Sequence, residues 1–303
     1  MYDVLCTGLT CCDLIFANLE KFPELGKEVA GNDFLIKAGG AANTPMALAK
    51  LGINTLFTTA IGTDSLGEIV YEYMKNTGLD MSAVMFNDKF RTSVSAVLSI
   101  GHERGFASYF AECNYNLMEN KIKKFVPSCR HIHTYIGDCL NMPVIEIAKK
   151  HGKTISVDTA WDENIRIHNI KNILKNCDVF LTNEVEACSI TETDTPKEAL
   201  EALSEYSKYV VVKLGSKGSI IKCGDRIIEV PGIKGINVVD TTGAGDLHGA
   251  GLVYGMLHGW SVEKTAKFAS ASGGLAVTFY GGMDEKYTLK AVLEYYNQIS
   301  GDK

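Results

Sequence analysis

VVDTTGAGDLHGAGLVYGML, residues 238–257, is a glycine-rich turn running into a long apolar helix. Gly243 and Gly245, with the small Ala244 between them, permit close approach of backbone to a ligand. The first amides of a helix have no acceptor within it, and together with the helix dipole they form a site for a phosphate-like anion. Asp246 stands at that junction. A carboxylate there repels a phosphate, but it can take the proton from a hydroxyl that attacks phosphorus. The competing reading is that Asp246 is a cap or a first-turn acid.

Working outward, short apolar and β-branched runs alternate with helical patterns. DVLCTG near the start, NTLFTTAIG at 54–62, RHIHTYIG at 130–137, TISVD at 154–158, CDVFLTN at 177–183 and KYVVVKLG at 208–215 read as strands. Several are apolar at consecutive positions, as in strands covered on both faces of a mostly parallel sheet. TPMALAKLG, SLGEIVYEYMKNTG and MPVIEIAKKHG read as helices, the last two stopped by Gly78 and Gly152. The alternation predicts a doubly wound, mostly parallel α/β fold in one domain spanning 1–303. Residues 14–38 and 90–112 lack helical periodicity and read as strand pairs, the second a hairpin turning at Gly101 to Gly105. They predict a small β-sheet lid.

The formal charge of −6 and pI near 5.7 oppose a nucleic-acid or acidic-membrane partner. No run is long enough to span a membrane, and the N-terminal MYDVLCTG lacks a secretory pattern. Nine scattered cysteines without a CxxC pair fit reduced thiols rather than a disulfide framework or zinc site. A cytoplasmic protein is expected. GxxxxGK[ST] is missing: ahead of Gly152-Lys153-Thr154, Ile147 stands where the first glycine belongs. CTGLTCCD lacks the GxGxxG of a dinucleotide site.

A second motif, KAGGAANTPMALAKLG at 37–52, ends an extended stretch on Gly39-Gly40 and starts a helix near Asn43, whose amide suits sugar hydroxyls. A strand-to-helix turn with an Asn cap is the plain alternative. Taken together, the two glycine motifs, Asp13 after the first strand, Asn183-x-x-Glu186 and Leu214-Gly215-x-x-Gly218 occur in the order found in the ribokinase-like (PfkB) family of carbohydrate and nucleoside kinases, which this chain resembles over its whole length. The resemblance implies an ATP-dependent kinase for a hydroxyl of a small sugar-like substrate, with Asp246 as base. It implies that Gly243, Ala244 and Gly245 stabilise the transferring phosphoryl group. Asp13, Gly39, Gly40 and Asn43 would bind substrate. Asn183 and Glu186 would arrange Mg2+ mostly through water. Lys213, Gly215, Ser216 and Gly218 would line the ATP pocket, with Gly281 and Gly282 beside adenine. Asp240 and Thr242 resemble positions that hold K+ or another monovalent cation in some members.

Other residues stay open. Arg104 in the hairpin turn either reaches the substrate as the lid closes or is an exposed turn residue. His248 replaces an aromatic residue common in the family and reads as a satisfied core histidine. Cys11-Cys12 precede Asp13 where ribokinase carries a polar sugar-binding residue, which weighs against ribose. Asp158, at a strand end, is left outside the site. Phe106, Tyr109 and Phe110 would suit a nucleoside, and a non-catalytic sugar-binding sensor is the rival outside enzymes. An open lid edge predicts a homodimer.

Overall fold

The computed structural model describes residues 1–101 and 103–300. Its strands, in chain order, are β1 (Tyr2–Thr7), β2 (Thr10–Ala17), β3 (Asp33–Gly40), β4 (Thr55–Thr58), β5 (Ala60–Gly62), β6 (Met85–Asn87), β7 (Ser93–Ile100), β8 (Glu103–Tyr109), β9 (Cys129–Tyr135), β10 (Thr154–Asp158), β11 (Val179–Asn183), β12 (Tyr209–Lys213), β13 (Gly218–Cys223) and β14 (Arg226–Pro231). An eight-stranded sheet has the order β14-β13-β12-β11-β10-β9-β1-β4. From β4 to β12 every neighbour is parallel; β13 and β14 add an antiparallel hairpin at the edge.

Strand side chains alternate between two helical layers. Leu5, Ile132, Val157 and Val212 pack with helices such as Val144–Lys150 and Ile167–Asn176. Val4, Cys6 and Phe57 face the opposite way, toward Asn43–Lys50, Ala244–Leu257 and Val262–Ala276. The expected continuous apolar runs follow from this, since both faces are covered. Burying each large side chain stabilises by about 1.5–3 kcal/mol. Ala244–Leu257 is buried from Leu247 through Gly255. A Cβ on Gly251 would lie 2.8 Å from Ala269 Cα, so glycine lets the neighbouring helix pack directly on it.

A second sheet, order β3-β2-β7-β8, carries the two segments expected to form strand pairs. Their bounds differ from the expectation. β2 begins at Thr10 and β3 runs to Gly40, because Thr10 pairs with Gly40 and Cys11 with Gly39. Cys11 and Cys12 are thus near the start of this strand. Ile100 pairs with Glu103, so the chain reverses between these two residues. Arg104 and Gly105 therefore lie in β8, not in the turn; His102 is outside the described residues, as are 301–303. The expected strand at 54–62 is broken at Thr59: Thr55–Thr58 joins the main sheet, and Ala60–Gly62 bends away to pair with β6. No helix among the described residues is long and apolar enough to cross a membrane.

Candidate active site

Parallel strands bring Thr7, Tyr135, Asp158, Asn183 and Lys213 to the C-terminal edge of the sheet, where open α/β folds bind ligands. The helix Ala244–Leu257 begins there. Its N-cap, Gly243, has φ 73°, and no side chain caps the helix. A Cβ at Gly243 would also fall 2.4 Å from Gly282 Cα, so both conformation and contact require glycine. The N–H groups of Gly245 and Asp246 find no acceptor among the described residues. They are free to face an anion.

Asp246 is half-buried at this turn, and each carboxylate oxygen has a donor. Tyr135 Oη donates to Oδ1 at 2.9 Å, and Asn43 Nδ2 to Oδ2 at 3.0 Å. Burial pushes the Asp246 carboxyl up to about 6. The Asn43 bond opposes that, the Asp158 charge adds to it, and Lys213 and Tyr135 oppose it. Asn43 Oδ1 is buried without a partner among the described residues. Beside them, Lys213 Nζ donates to both Asp158 oxygens, at 2.8 and 2.9 Å. A Cβ on Gly245 would be 3.4 Å from that ammonium, which therefore lies next to the first turn of the helix. Burial alone would pull Lys213 down, but Asp158, Glu186 and Asp246 outweigh it, and the group sits above its ordinary range.

The small sheet is seated over this edge. Asp13 is 5% exposed, with Cys11 Sγ donating to Oδ1 at 3.1 Å and Gly39 packed against its carboxylate. Burial pushes Asp13 up to about 6; Cys11 opposes this, and the Asp246 and Asp240 charges add to it. Two cations fasten the sheet to the core. Lys37 Nζ donates to the carbonyls of Tyr280 and Met283, at 2.6 and 2.8 Å. Arg104 donates to Thr241 Oγ1 and lies 3.8 Å from Asp240. Asp246 lines neither of two nearby cavities. One, of about 460 Å³, is bounded by Leu9, Phe110, Ala111 and Asp138, and the other, of about 1140 Å³, by Asp64, Phe90, Arg91 and Tyr109.

Asn183 and Glu186 form a capping box: Glu186 N donates to Asn183 Oδ1 at 2.9 Å, and Asn183 N to Glu186 Oε2 at 3.3 Å. Thr159 Oγ1 also bonds Oε2, leaving Oε1 without a partner among the described residues. Gly215, Ser216 and Gly218 make the turn after β12, Gly215 and Gly218 with φ 56° and 99°. Asp240 accepts Thr242 N and Oγ1 on one oxygen and Gly281 N on the other. Gly281 packs on Lys37 and Ile15 of the small sheet, and Gly282 against Asn43. That places this pair on the side of Asp13 and Asn43.

His248 is buried as expected, but neither ring nitrogen has a partner, so it is not a satisfied core histidine. Burial, with Lys213 nearby, pushes it down to about 3 and keeps it neutral. Sequence reasoning missed Tyr135, Thr44 and Lys37 and set Asp158 aside. The position of Tyr135 at the last residue of an apolar strand was the available signal.

Comparison with known proteins finds relatives along nearly the whole chain. Over 98% of this chain and 94% of its own length, 5-dehydro-2-deoxygluconokinase of Geobacillus thermodenitrificans is 24% identical. Nucleoside kinase of Methanothermobacter thermautotrophicus is 29% identical over 89% of this chain and 87% of its own. Among solved structures, Methanocaldococcus jannaschii nucleoside kinase superposes with a TM-score of 0.78 at 25% identity, covering 98% of this chain and 99% of that one. Arabidopsis thaliana ribokinase, complexed with ribose and ATP, gives 0.78 at 23% identity over 97% and 98%. The model of the pfkB family of carbohydrate kinases matches residues 1–288, and the chain belongs to that family.

Proposed function

We propose that this kinase moves the γ-phosphoryl group of ATP to a hydroxyl of a sugar or sugar-derived small molecule, with Asp246 as the base. One observation carries the reading: a carboxylate held on both oxygens stands beside two helix amides with no acceptor. The substrate lies under the small sheet, which serves as a lid, between Asp13 and Asn43. Gly39 and Gly40 let backbone approach it, and the unpartnered Asn43 Oδ1 accepts from one of its hydroxyls. Arg104 holds the lid to the Thr241 loop, and the closed lid excludes water. As the hydroxyl attacks, Asp246 takes its proton. The amides around Gly243, Ala244 and Gly245, with Lys213 adjacent, bear the charge that develops on the phosphoryl oxygens. Gly215, Ser216 and Gly218 flank the nucleotide beyond Lys213.

No cluster of three metal-ligating side chains exists among the described residues, which suits magnesium held largely by phosphates and water. Glu186 Oε1 is the available protein ligand, whereas the Asn183 oxygen is committed to its cap. Magnesium held there would supply neutralisation of phosphate charge. Asp240 does not fit a K+ site, since its oxygens already take N–H and O–H donors and Arg104 stands close by.

The relatives' names also support a nucleoside as substrate, and the aromatic wall at Phe110 suits a base. A coupled ADP-release assay over sugars, sugar acids and nucleosides decides between them. Asp246→Asn should lower turnover by about 10²–10⁴-fold with ATP binding retained; near-full activity would refute the base. The outer face of the lid presents Phe16 and Phe34, 37% and 49% exposed with ring centroids 5.1 Å apart. That apolar face, rather than the edge, supports a homodimer. Phe34→Asp should then halve the mass seen by light scattering, and a monomeric wild type would end the idea. Nine free cysteines are consistent with a cytoplasmic setting.

A further inference from the structure

We infer that Tyr135 is a positioning residue for phosphoryl transfer: its hydroxyl fixes one oxygen of Asp246 and holds the carboxylate ionised and aimed at the acceptor hydroxyl. The inference rests on the reading of Asp246 as the base.

Tyr135 closes β9 and reaches the Asp246 oxygen that Asn43 does not. Its Oη–Oδ1 distance of 2.9 Å and the Asn43 Nδ2–Oδ2 distance of 3.0 Å give the carboxylate two fixed donors. The phenol is itself located by Thr44, whose Oγ1 lies 3.2 Å from Tyr135 Oη and 3.2 Å from the Asp246 carbonyl oxygen. One side chain thus registers both the acid and its supporter. The ring sits edge-on to His133, with centroids 5.6 Å apart, and cannot swing without displacing a buried neighbour.

A carboxylate oxygen accepts more than one hydrogen bond, so Oδ1 or Oδ2 can still take the substrate proton with its donor in place. What the donors change is orientation and charge. The charged and titratable groups around Asp246 are Asp158 on β10 and Lys213 on β12, with Asp13, Cys11 and Arg104 on the small sheet. Burial and the like charge of Asp158 favour a protonated, inactive acid, and Lys213 alone does not cancel them, since it is shared with Asp158. The hydroxyl of Tyr135 acts against protonation. Its own proton is not lost at working pH, because burial and the charge of Asp246 raise the phenol well above its ordinary range. It therefore serves as a constant donor and does not compete as a base.

The test uses the full chain without ligand, labelled with ¹³C at aspartate Cγ. The Asp246 resonance is assigned from its disappearance in Asp246→Asn. Tyr135→Phe keeps the ring and removes one oxygen. It should move the Asp246 titration upward by about one unit, a tenfold change in proton affinity. An unmoved titration in folded Tyr135→Phe overturns the proposal, whether or not any substrate turns over. If that variant does not fold, 3-fluorotyrosine placed at 135 keeps the shape and strengthens the donor. Asp246 must then titrate lower, and an unchanged or higher value overturns the proposal. With a substrate in hand, Tyr135→Phe should lower kcat about tenfold or more, leave the KM for ATP unchanged and shift the acid limb of kcat by the same amount as the resonance. A lower kcat with no shift of that limb would mark a purely structural role and count against the proposal. A normal ¹³C result beside a silent ADP-release panel would instead weigh on the choice of substrate.

Discussion

Substituting Gly282 by alanine puts one methyl group against the side chain that holds Asp246. The added Cβ would stand 2.1 Å from Asn43 Oδ1, 2.3 Å from Cγ and 2.4 Å from Nδ2. Ordinary contact begins near 3.5 Å, so the Asn43 amide must retreat by roughly 1 Å. Its 3.0 Å bond to Asp246 Oδ2 would then stretch to about 4 Å and cease to be a hydrogen bond. Gly282 does not hold a positive φ, so the backbone itself accepts alanine. The expected cost in stability is therefore that of overpacking, about 1–3 kcal/mol. The expected cost in turnover is larger, because misplacing a reacting group by 1 Å is worth about 10²-fold. The assay is kcat by coupled ADP release with thermal melting alongside. Gly137→Ala is the control, a site with nothing within 4 Å of the added Cβ. Asn43→Ala combined with Gly282→Ala should cost little more than Asn43→Ala alone, since both act through one amide. A folded Gly282→Ala protein with kcat within about threefold of wild type would refute the coupling from the glycine loop through Asn43 to the base.

Asp246 should also set the pH dependence: the base works only when ionised, so kcat should decline as pH falls through about 6. A flat profile down to about pH 5 would count against it. Asp138, buried and accepting from Thr7 and Thr134, is likewise pushed up to about 6, by burial. Its folded pKa lies above the unfolded value near 3.9, so the folded state binds more protons between the two. Ionisation therefore costs the fold up to about 3 kcal/mol above pH 6 and nothing below pH 4. Asp138→Asn should raise the melting temperature by a few degrees at pH 8, with the gain gone near pH 4. An equal change at both pH values would contradict this.

What the sequence made legible was local. Consecutive apolar residues in TISVD and KYVVVKLG marked strands covered on both faces, and each of those strands is present. Gly243 to Asp246 could be interpreted because turn, amides and acid are neighbours in the chain. The hidden parts depend on distant partners. Tyr135 acquires its role from a residue 111 positions away, and Lys37 from one 246 away. The break at Thr59 escaped notice for a related reason: Leu56, Phe57 and Ile61 are all buried, but in two different sheets. The hairpin of β13 and β14 was missed although Gly224-Asp225 between alternating runs signalled a turn.

The helix that carries Asp246 begins on a glycine, and the N–H groups of Gly245 and Asp246 in its first turn have no acceptor among the described residues. On the proposed mechanism a phosphoryl group would take the Gly245 and Asp246 amides during turnover, in place of solvent. The secondary structure would thus be finished by the cargo, and hydrogen–deuterium exchange at those two amides would become a clock for occupancy. It should slow when a phosphate-bearing ligand arrives, quicken when product departs, and require no label on either partner.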